Sequence, residues 1–235
     1  MTDHATVAEL YDVSRTYRGA RGDVAAVRGI TLDACRGEIL GVGGPSGSGK
    51  STLLRLLAGI ERPDRGTVSY GGLPAWSGWA RAAAYPRPGY AMAVFQDPFA
   101  SLDPRWPIWR LVSEPLTARR RGAHRPAERR AVAADWLARA GLGHLDPATR
   151  PGELSGGQCQ RVAILRALVA EPALIVADEP TARQDVITAA AMAELLRDAA
   201  TQGAAVVVVS HDARWLDSLA HRAVRLEPTP SLVNA

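Results

Sequence analysis

The chain has 235 residues, enough for one large domain or a domain carrying an inserted subdomain. Hydrophobic residues make up 47% and charged residues 22%, an ordinary globular balance that excludes a disordered chain. A formal charge of +4 suits an anionic ligand or a membrane surface and is too small to argue for nucleic acid.

The opening stretch "MTDHATVAEL" has no basic segment followed by an apolar one, so it does not read as a signal peptide. The longest uncharged apolar run, Ala204 to Val209, is far shorter than the roughly 20 residues a membrane-spanning helix needs. These features predict a cytosolic protein. "ITLDACRGEILGVGG" predicts two strands, over 30–34 and 38–42, with a turn at Arg36 and Gly37. The second strand runs into a glycine-rich loop. "KSTLLRLLAGI" then places Leu53, Leu54, Leu56 and Leu57 on helical spacing, with Gly59 as a stop. "GTVSYGG" and "AMAVF" predict two further short strands, the latter ending at Gln96.

From Asp97 to about Gly152 prolines are frequent and helical patterns such as "AERRAVAADWLARAGL" appear, which predicts a mostly helical insertion. "LSGGQCQRVAILRALVA" reads as a loop and then a helix. "ALIVADEP" and "AAVVVVSHD" are continuous apolar runs, as expected of strands buried on both faces. Between them lies a helix, "VITAAAMAELLRDAATQG". Apolar strands alternating with helices predict an α/β core with a mainly parallel sheet. Cys35 and Cys159, the only cysteines, have neither metal-ligand spacing nor a disulfide framework.

Residues 44–51, "GPSGSGKS", match G-x-x-x-x-G-K-[ST] in the context that pattern requires, after a strand and opening a helix. Gly44, Gly47 and Gly49 permit backbone conformations that other residues resist, so successive N–H groups can turn inward toward phosphate oxygens. The helix beginning near Lys50 adds its positive end. Lys50 is expected to reach the β- and γ-phosphates, and the Ser51 hydroxyl to ligate Mg²⁺. Lys50 is the only lysine in a chain that otherwise uses arginine, and the planar guanidinium does not replace a compact ammonium at such a site. The alternative is a glycine-rich turn that binds nothing.

Asp178 and Glu179 fall at the C-terminal end of a buried strand, where open α/β sheets bind ligands. Asp178 suits a Mg²⁺ ligand, and Glu179 suits a base for the attacking water, against the alternative of ordinary loop carboxylates. His211 can hydrogen-bond a phosphate or that water, or be structural. Gln96 can complete the Mg²⁺ shell or sense the γ-phosphate. Ser155, an apt N-cap, with Gly156 and Gly157, makes a second helix terminus fit for an anion; the residues alone favour a simple capped helix.

Taken in order, Lys50, Gln96, "LSGGQ", "ADEP" and "SHD" resemble the nucleotide-binding domains of ATP-binding cassette (ABC) transporters, over about Val7 to Leu226. The resemblance implies a P-loop NTPase core with an N-terminal antiparallel β subdomain and an inserted helical subdomain. It implies one domain over 1–235, with a RecA-like core in 1–96 and 156–235 and a helical subdomain in 97–155. Tyr17 corresponds to the aromatic residue that stacks on adenine. Gly44, Pro45, Ser46, Gly47, Ser48, Gly49, Lys50, Ser51 and Thr52 correspond to the Walker A loop. Gln96 is the Q-loop glutamine, Asp178 the Walker B aspartate, Glu179 the catalytic carboxylate and His211 the switch histidine. Ser51, Gln96 and Asp178 would then hold Mg²⁺. Two such domains pair head to tail in the family, so Ser155, Gly156, Gly157 and Gln158 would meet ATP bound by a second nucleotide-binding subunit.

"VFQDPFASLDPRWPIWRLVSEPL" further resembles the peptide and nickel importer subgroup. That implies an ATPase subunit on the cytoplasmic face of the membrane, beneath integral permease subunits served by an extracellular binding protein. A peptide, nickel or metal-chelate substrate fits, and related rather than identical ATPase subunits are expected to pair. The other readings are a soluble ABC-type ATPase of DNA repair or translation and an unrelated P-loop kinase. Two departures stand out. Ala182-Arg183-Gln184-Asp185 replaces the usual Ser-Ala-Leu-Asp, and Cys159 stands where a basic residue is usual. The basic stretch over 118–130 reads as solvated or as a lipid-headgroup contact, and Trp106 and Trp109 as an interface to membrane subunits or as ordinary packing.

Overall fold

The computed structural model describes residues 5–19, 22–77, 80–81, 87–119, 125–182 and 184–228. Five strands form an antiparallel sheet: β1 (Thr6–Tyr17), β2 (Val24–Cys35), β4 (Arg65–Tyr70), β5 (Leu73–Ser77) and β6 (Ala80–Arg81), in the order β2-β1-β4-β5-β6. Five more form a parallel sheet: β3 (Ile39–Gly43), β7 (Ala91–Val94), β8 (Leu174–Asp178), β9 (Ala205–Val209) and β10 (Arg222–Arg225), in the order β10-β3-β9-β8-β7.

The central strands of the parallel sheet are apolar because both faces of the sheet are covered there. Ile39, Ile175, Ala177, Val206 and Val208 belong to one buried cluster. Their chain neighbours Leu40, Val42, Leu174, Val176, Val207 and Val209 belong to a second. A strand whose successive side chains enter two different cores has no polar alternation, which is the pattern "ALIVADEP" and "AAVVVVSHD" show. On one side lie α5 (Gly156–Leu168), α6 (Val186–Thr201) and α7 (Ala213–Leu219), whose Leu165, Leu196 and Leu216 join the first cluster. On the other, α1 (Lys50–Leu57) buries Leu53, Leu54, Leu56 and Leu57 against the antiparallel sheet. Gly59 follows with φ 69°, the left-handed geometry expected of a helix stop.

Between β7 and β8 the described residues hold only helices and turns: α2 (Pro98–Ser101), α3 (Ile108–Arg119), α4 (Pro126–Arg139), a 3-10 turn at Pro151–Glu153 and α5. Trp106 and Trp109 pack against this helical core and are stacked by arginines. Arg110 lies 3.9 Å from the Trp106 ring centre, and Arg129 and Arg130 lie 5.6 and 4.7 Å from that of Trp109. Part of the basic stretch is thus spent on indole faces within the subunit; residues 120–124 lie outside the described ones.

Several elements exceed what the residue pattern predicts. The strand expected over 30–34 begins at Val24, and β1, β5, β6, β10 and α7 have no individual signal. In β1 the reason is visible. Asp12 sits at φ 50° and the pairing register with β2 shifts between Leu10 and Val13, so period-two alternation is broken by a bulge. β10 is an edge strand that carries arginine at both ends.

Candidate active site

The glycine-rich loop joins the end of β3 to the start of α1. Gly49 is the residue before α1, at φ 91°, and a side chain there would run into the Ala26 carbonyl of β2. At Gly44, φ 144°, a Cβ would lie 2.5 Å from the Leu226 carbonyl oxygen. The loop is therefore clamped between β2 and the chain after β10, and only glycine fits where it is clamped. Neither neighbour carries a motif, so the residues alone do not reveal them.

Four other helix starts are closed by side chains. Asp97, Ser155, Asp185 and Asp212 accept hydrogen bonds from the first turns of α2, α5, α6 and α7. α1 has no such cap, because its N-cap is Gly49. Its first N–H groups and its dipole are left for an anion. Lys50 Nζ donates to the carbonyls of Gly44 and Pro45, 2.8 Å from each, so the ammonium closes over the loop. Ser48 is buried, and its Oγ has no hydrogen-bond partner among the described residues. Open N–H donors, a cation and an unsatisfied hydroxyl together fit a phosphate group.

Ser51 and Asp178 line one small cavity of about 10 Å³, together with Phe95 and Val176. A hydroxyl and a carboxylate are the oxygen donors that a Mg²⁺ held mainly by phosphate and water requires. Among the described residues no group of three or more His, Cys, Asp or Glu could hold a metal unaided. Gln96, one residue beyond Phe95, lines a separate cavity with Asp97, Phe99, Gly156, Ala182 and Gln184. The structure thus brings two of the three expected metal ligands to one cavity and places Gln96 in another, with residues near the start of α5.

Asp178 closes β8 opposite Val209 of β9. Glu179 follows at φ 48°, held by its N–H donating to the Val209 carbonyl at 2.9 Å. A non-glycine residue in the left-handed region costs on the order of 1–3 kcal/mol and persists where surrounding structure imposes it. The turn brings Glu179 Oε2 to 2.8 Å from His211 Nδ1, beyond the end of β9. The carboxylate is mostly covered while the imidazole is exposed.

Tyr17 lies at the end of β1, with its hydroxyl 3.3 Å from Thr52 Oγ1 and donating to Glu61 Oε2 at 2.6 Å. The Arg15 guanidinium sits 5.1 Å from the Tyr17 ring centre and pairs with Glu61 and Asp64. Glu61 and Asp64 are residues that the motif reading missed. They lie in the turn after α1, and only the fold brings them back to β1.

Ser155 and Gln158 form a reciprocal cap on α5: Ser155 Oγ accepts from the Gln158 N–H, and Gln158 Oε1 from the Ser155 N–H. Among the described residues these hydrogen bonds stay within the turn and none reaches residues 44–52. Gly156 has open space where a Cβ would be. At Gly157 a Cβ would meet Gln184 Oε1 at 2.8 Å, so the atypical loop after Glu179 leans on this glycine. Arg183 lies outside the described residues. Asp185 caps α6, and the Thr188 N–H and hydroxyl hold its carboxyl below the ordinary range. Cys159 is fully buried, with its thiol 3.4 Å from the Pro151 carbonyl. Cys159 therefore adds packing to the helical core at the position where a basic residue is usual in the pattern it resembles.

The family model described as ABC transporter matches residues 27–182. The chain is 39% identical to the oligopeptide transport ATP-binding protein OppD of Mycobacterium tuberculosis, over 94% of this chain and 37% of that protein. It thus spans little more than a third of that relative. It is 36% identical to the nickel import ATP-binding protein NikE of Rhodospirillum rubrum, over 97% of this chain and 80% of NikE. It is 39% identical to the lipoprotein-releasing system ATP-binding protein LolD 2 of Caulobacter vibrioides, over 90% and 92%. The fold superimposes on the ATP-binding cassette MJ0796, in a dimeric post-hydrolysis state bound to ADP and Pi. The TM-score is 0.83 and the identity 31%, over 97% of this chain and all of that one.

Proposed function

Since this chain belongs to the ABC transporter family, we propose that it is the ATP-binding and ATP-hydrolysing subunit of a transporter. The observation that carries the reading is the uncapped start of α1, with Lys50 folded over it and Ser48 Oγ unsatisfied beside it. On ATP binding, Lys50 exchanges the Gly44 and Pro45 carbonyls for β- and γ-phosphate oxygens, and the loop N–H groups take the remaining phosphate charge. Tyr17 faces the base. Ser51 and Asp178, with Gln96 nearby, would hold Mg²⁺, which supplies charge neutralisation at the β- and γ-phosphates. Glu179 takes a proton from water as that water attacks the γ-phosphorus and the bond to the β-phosphate oxygen breaks. His211 orients Glu179, the water or the γ-phosphate.

The capped turn of Ser155, Gly156, Gly157 and Gln158 is the surface for ATP held by a second nucleotide-binding subunit, which closes the composite site. The MJ0796 cassette is a dimer, which supports pairing. Among the described residues no helix is long and apolar enough to cross a membrane, so we assign translocation to separate permease subunits on whose cytoplasmic side this chain works. Within the family we favour import of a peptide, nickel or metal chelate, from the "FQDP" to "EPL" stretch and the OppD and NikE relatives. The LolD relative is a lipoprotein-releasing subunit, and release of that kind is the competing direction. None of these three relatives is a protein of DNA repair or translation.

The test is purification of the chain from its native cell. Integral membrane proteins should co-purify, and ATP should drive dimerisation of the Glu179→Gln variant. Recovery only with ribosomes or DNA would overturn the transporter reading.

A further inference from the structure

A cavity of about 750 Å³ lies at the end of the parallel sheet opposite Asp178 and Glu179. Tyr90, Ala173 and Ala204, each one residue before β7, β8 and β9, form its floor. No residue of the phosphate loop lines it. Its volume falls in the range of small-molecule sites, roughly 300–1,000 Å³.

The lining has two chemistries. Val7, Trp136, Leu168, Pro172 and Leu195 supply an apolar wall, with Trp136 and Tyr90 the aromatic members. Arg36, Arg87 and Arg139 stand at exposed positions around it, with Glu171 and Asp198 as the acidic members. Arg139 is engaged by Asp135 at 2.9 Å. Arg36 and Arg87 make no side-chain hydrogen bond or ion pair among the described residues, whereas most partly buried arginines here, such as Arg15, Arg161, Arg166 and Arg222, are bonded. An apolar cleft bordered by two uncommitted guanidiniums has the chemistry to hold a ligand with an apolar body and an anionic head.

We infer that this cavity is a second ligand site, distinct from the nucleotide site, for a small amphipathic anion of planar apolar body. The body lies against Trp136 and Leu168, and the carboxylate, sulfonate or phosphate head is met by Arg36 and Arg87. The walls come from three parts of the molecule. β1 and the turn after β2 belong to the antiparallel sheet, α6 covers the parallel sheet, and α4 belongs to the helical insertion. An occupant therefore bridges the helical insertion to both sheets.

The test uses the full chain with saturating Mg-ATP and two fluorescent probes, anilinonaphthalene sulfonate and the neutral phenylnaphthylamine that lacks its sulfonate. The sulfonate should bind one saturable site per chain and should not be displaced by ATP. The Arg36→Ala/Arg87→Ala double variant should weaken the sulfonate by about tenfold or more, the scale of losing hydrogen bonds to a charged group. It should move the neutral probe by less than about twofold on the same scale. ATP hydrolysis in the variant should stay at the wild-type rate, which also reports that the chain is folded. Arg87→Glu should weaken the sulfonate further. Equal sulfonate binding in wild type and double variant, displacement by ATP, or an absence of saturable binding would overturn the inference. So would equal loss of both probes, because the arginines would then be shaping the wall and not meeting the anionic head.

Discussion

His211 Nδ1 lies 2.8 Å from Glu179 Oε2, across the ends of two neighbouring parallel strands. Thirty-two positions separate them in the chain. The pairing of Asp178 with Val209 brings them to one point, and the left-handed turn at Glu179 aims the carboxylate there. Replacing Glu179 by Gln keeps the size and removes the proposed base. The variant should bind ATP within about threefold of wild type but hydrolyse it at least about a hundredfold more slowly, the low end for general-base loss. Hydrolysis at the wild-type rate would remove Glu179 from the base role. His211→Ala should slow kcat less than Glu179→Gln, because water can still reach the carboxylate.

Lys50 is held by two carbonyls of its own loop, which keeps the ammonium over the proposed phosphate position. Lys50→Ala should weaken ATP binding by roughly 10- to 100-fold, the value of one to two charge-assisted hydrogen bonds. Lys50→Arg should fail to restore it, since the guanidinium is larger and planar. Isothermal titration with a non-hydrolysable ATP analogue measures both; full recovery by arginine would contradict the shape argument.

Glu61 receives the Tyr17 hydroxyl at 2.6 Å and pairs with Arg15, which stacks near the same ring. Glu61→Gln should therefore loosen Tyr17 and raise the KM for ATP by about two- to fivefold while kcat holds, on the scale of one side-chain hydrogen bond. Tyr17→Phe should resemble it, and Tyr17→Ala should be worse. A fall in kcat with unchanged KM would place Glu61 outside base recognition.

Gly49 combines a left-handed backbone with close approach of the Ala26 carbonyl. Gly49→Ala should cost at least about 2 kcal/mol of stability, from strain and from displacing β2. Urea denaturation should show a lower midpoint. A midpoint equal to wild type would mean the loop can leave its clamp freely.

Both thiols are pushed up to about 11: Cys35 by burial and then by donating to Asp33, and Cys159 by burial alone. At pH 8 neither should react with iodoacetamide at the rate of an ordinary thiol, whose pKa is about 8.5. Both should label readily in guanidinium chloride. A pKa raised on folding adds stability that is complete below about pH 8.5 and fades as pH climbs toward 11. The urea midpoint should therefore fall between pH 8.5 and 10.5 in wild type, and less so in a Cys35→Ser/Cys159→Ala variant.

The residues alone determine which chemistry is present. Gly44 to Ser51 is legible because cradling a phosphate requires consecutive residues, and the buried strands are legible because burial on both faces leaves an unbroken apolar run. The helical insertion and Ser155 as the N-cap of α5 are read the same way, from local periodicity and residue type, while the return bond from Gln158 comes from the structure. Relations between distant positions are decided only by tertiary structure. Ala26 and Leu226 clamp the loop, Glu61 anchors Tyr17, Gln184 leans on Gly157, and Arg36 and Arg87 border a cavity with Trp136. The physical reason is the same in each case. These contacts depend on strand order, register and packing between layers, and none of those leaves a periodic or spaced mark along the chain.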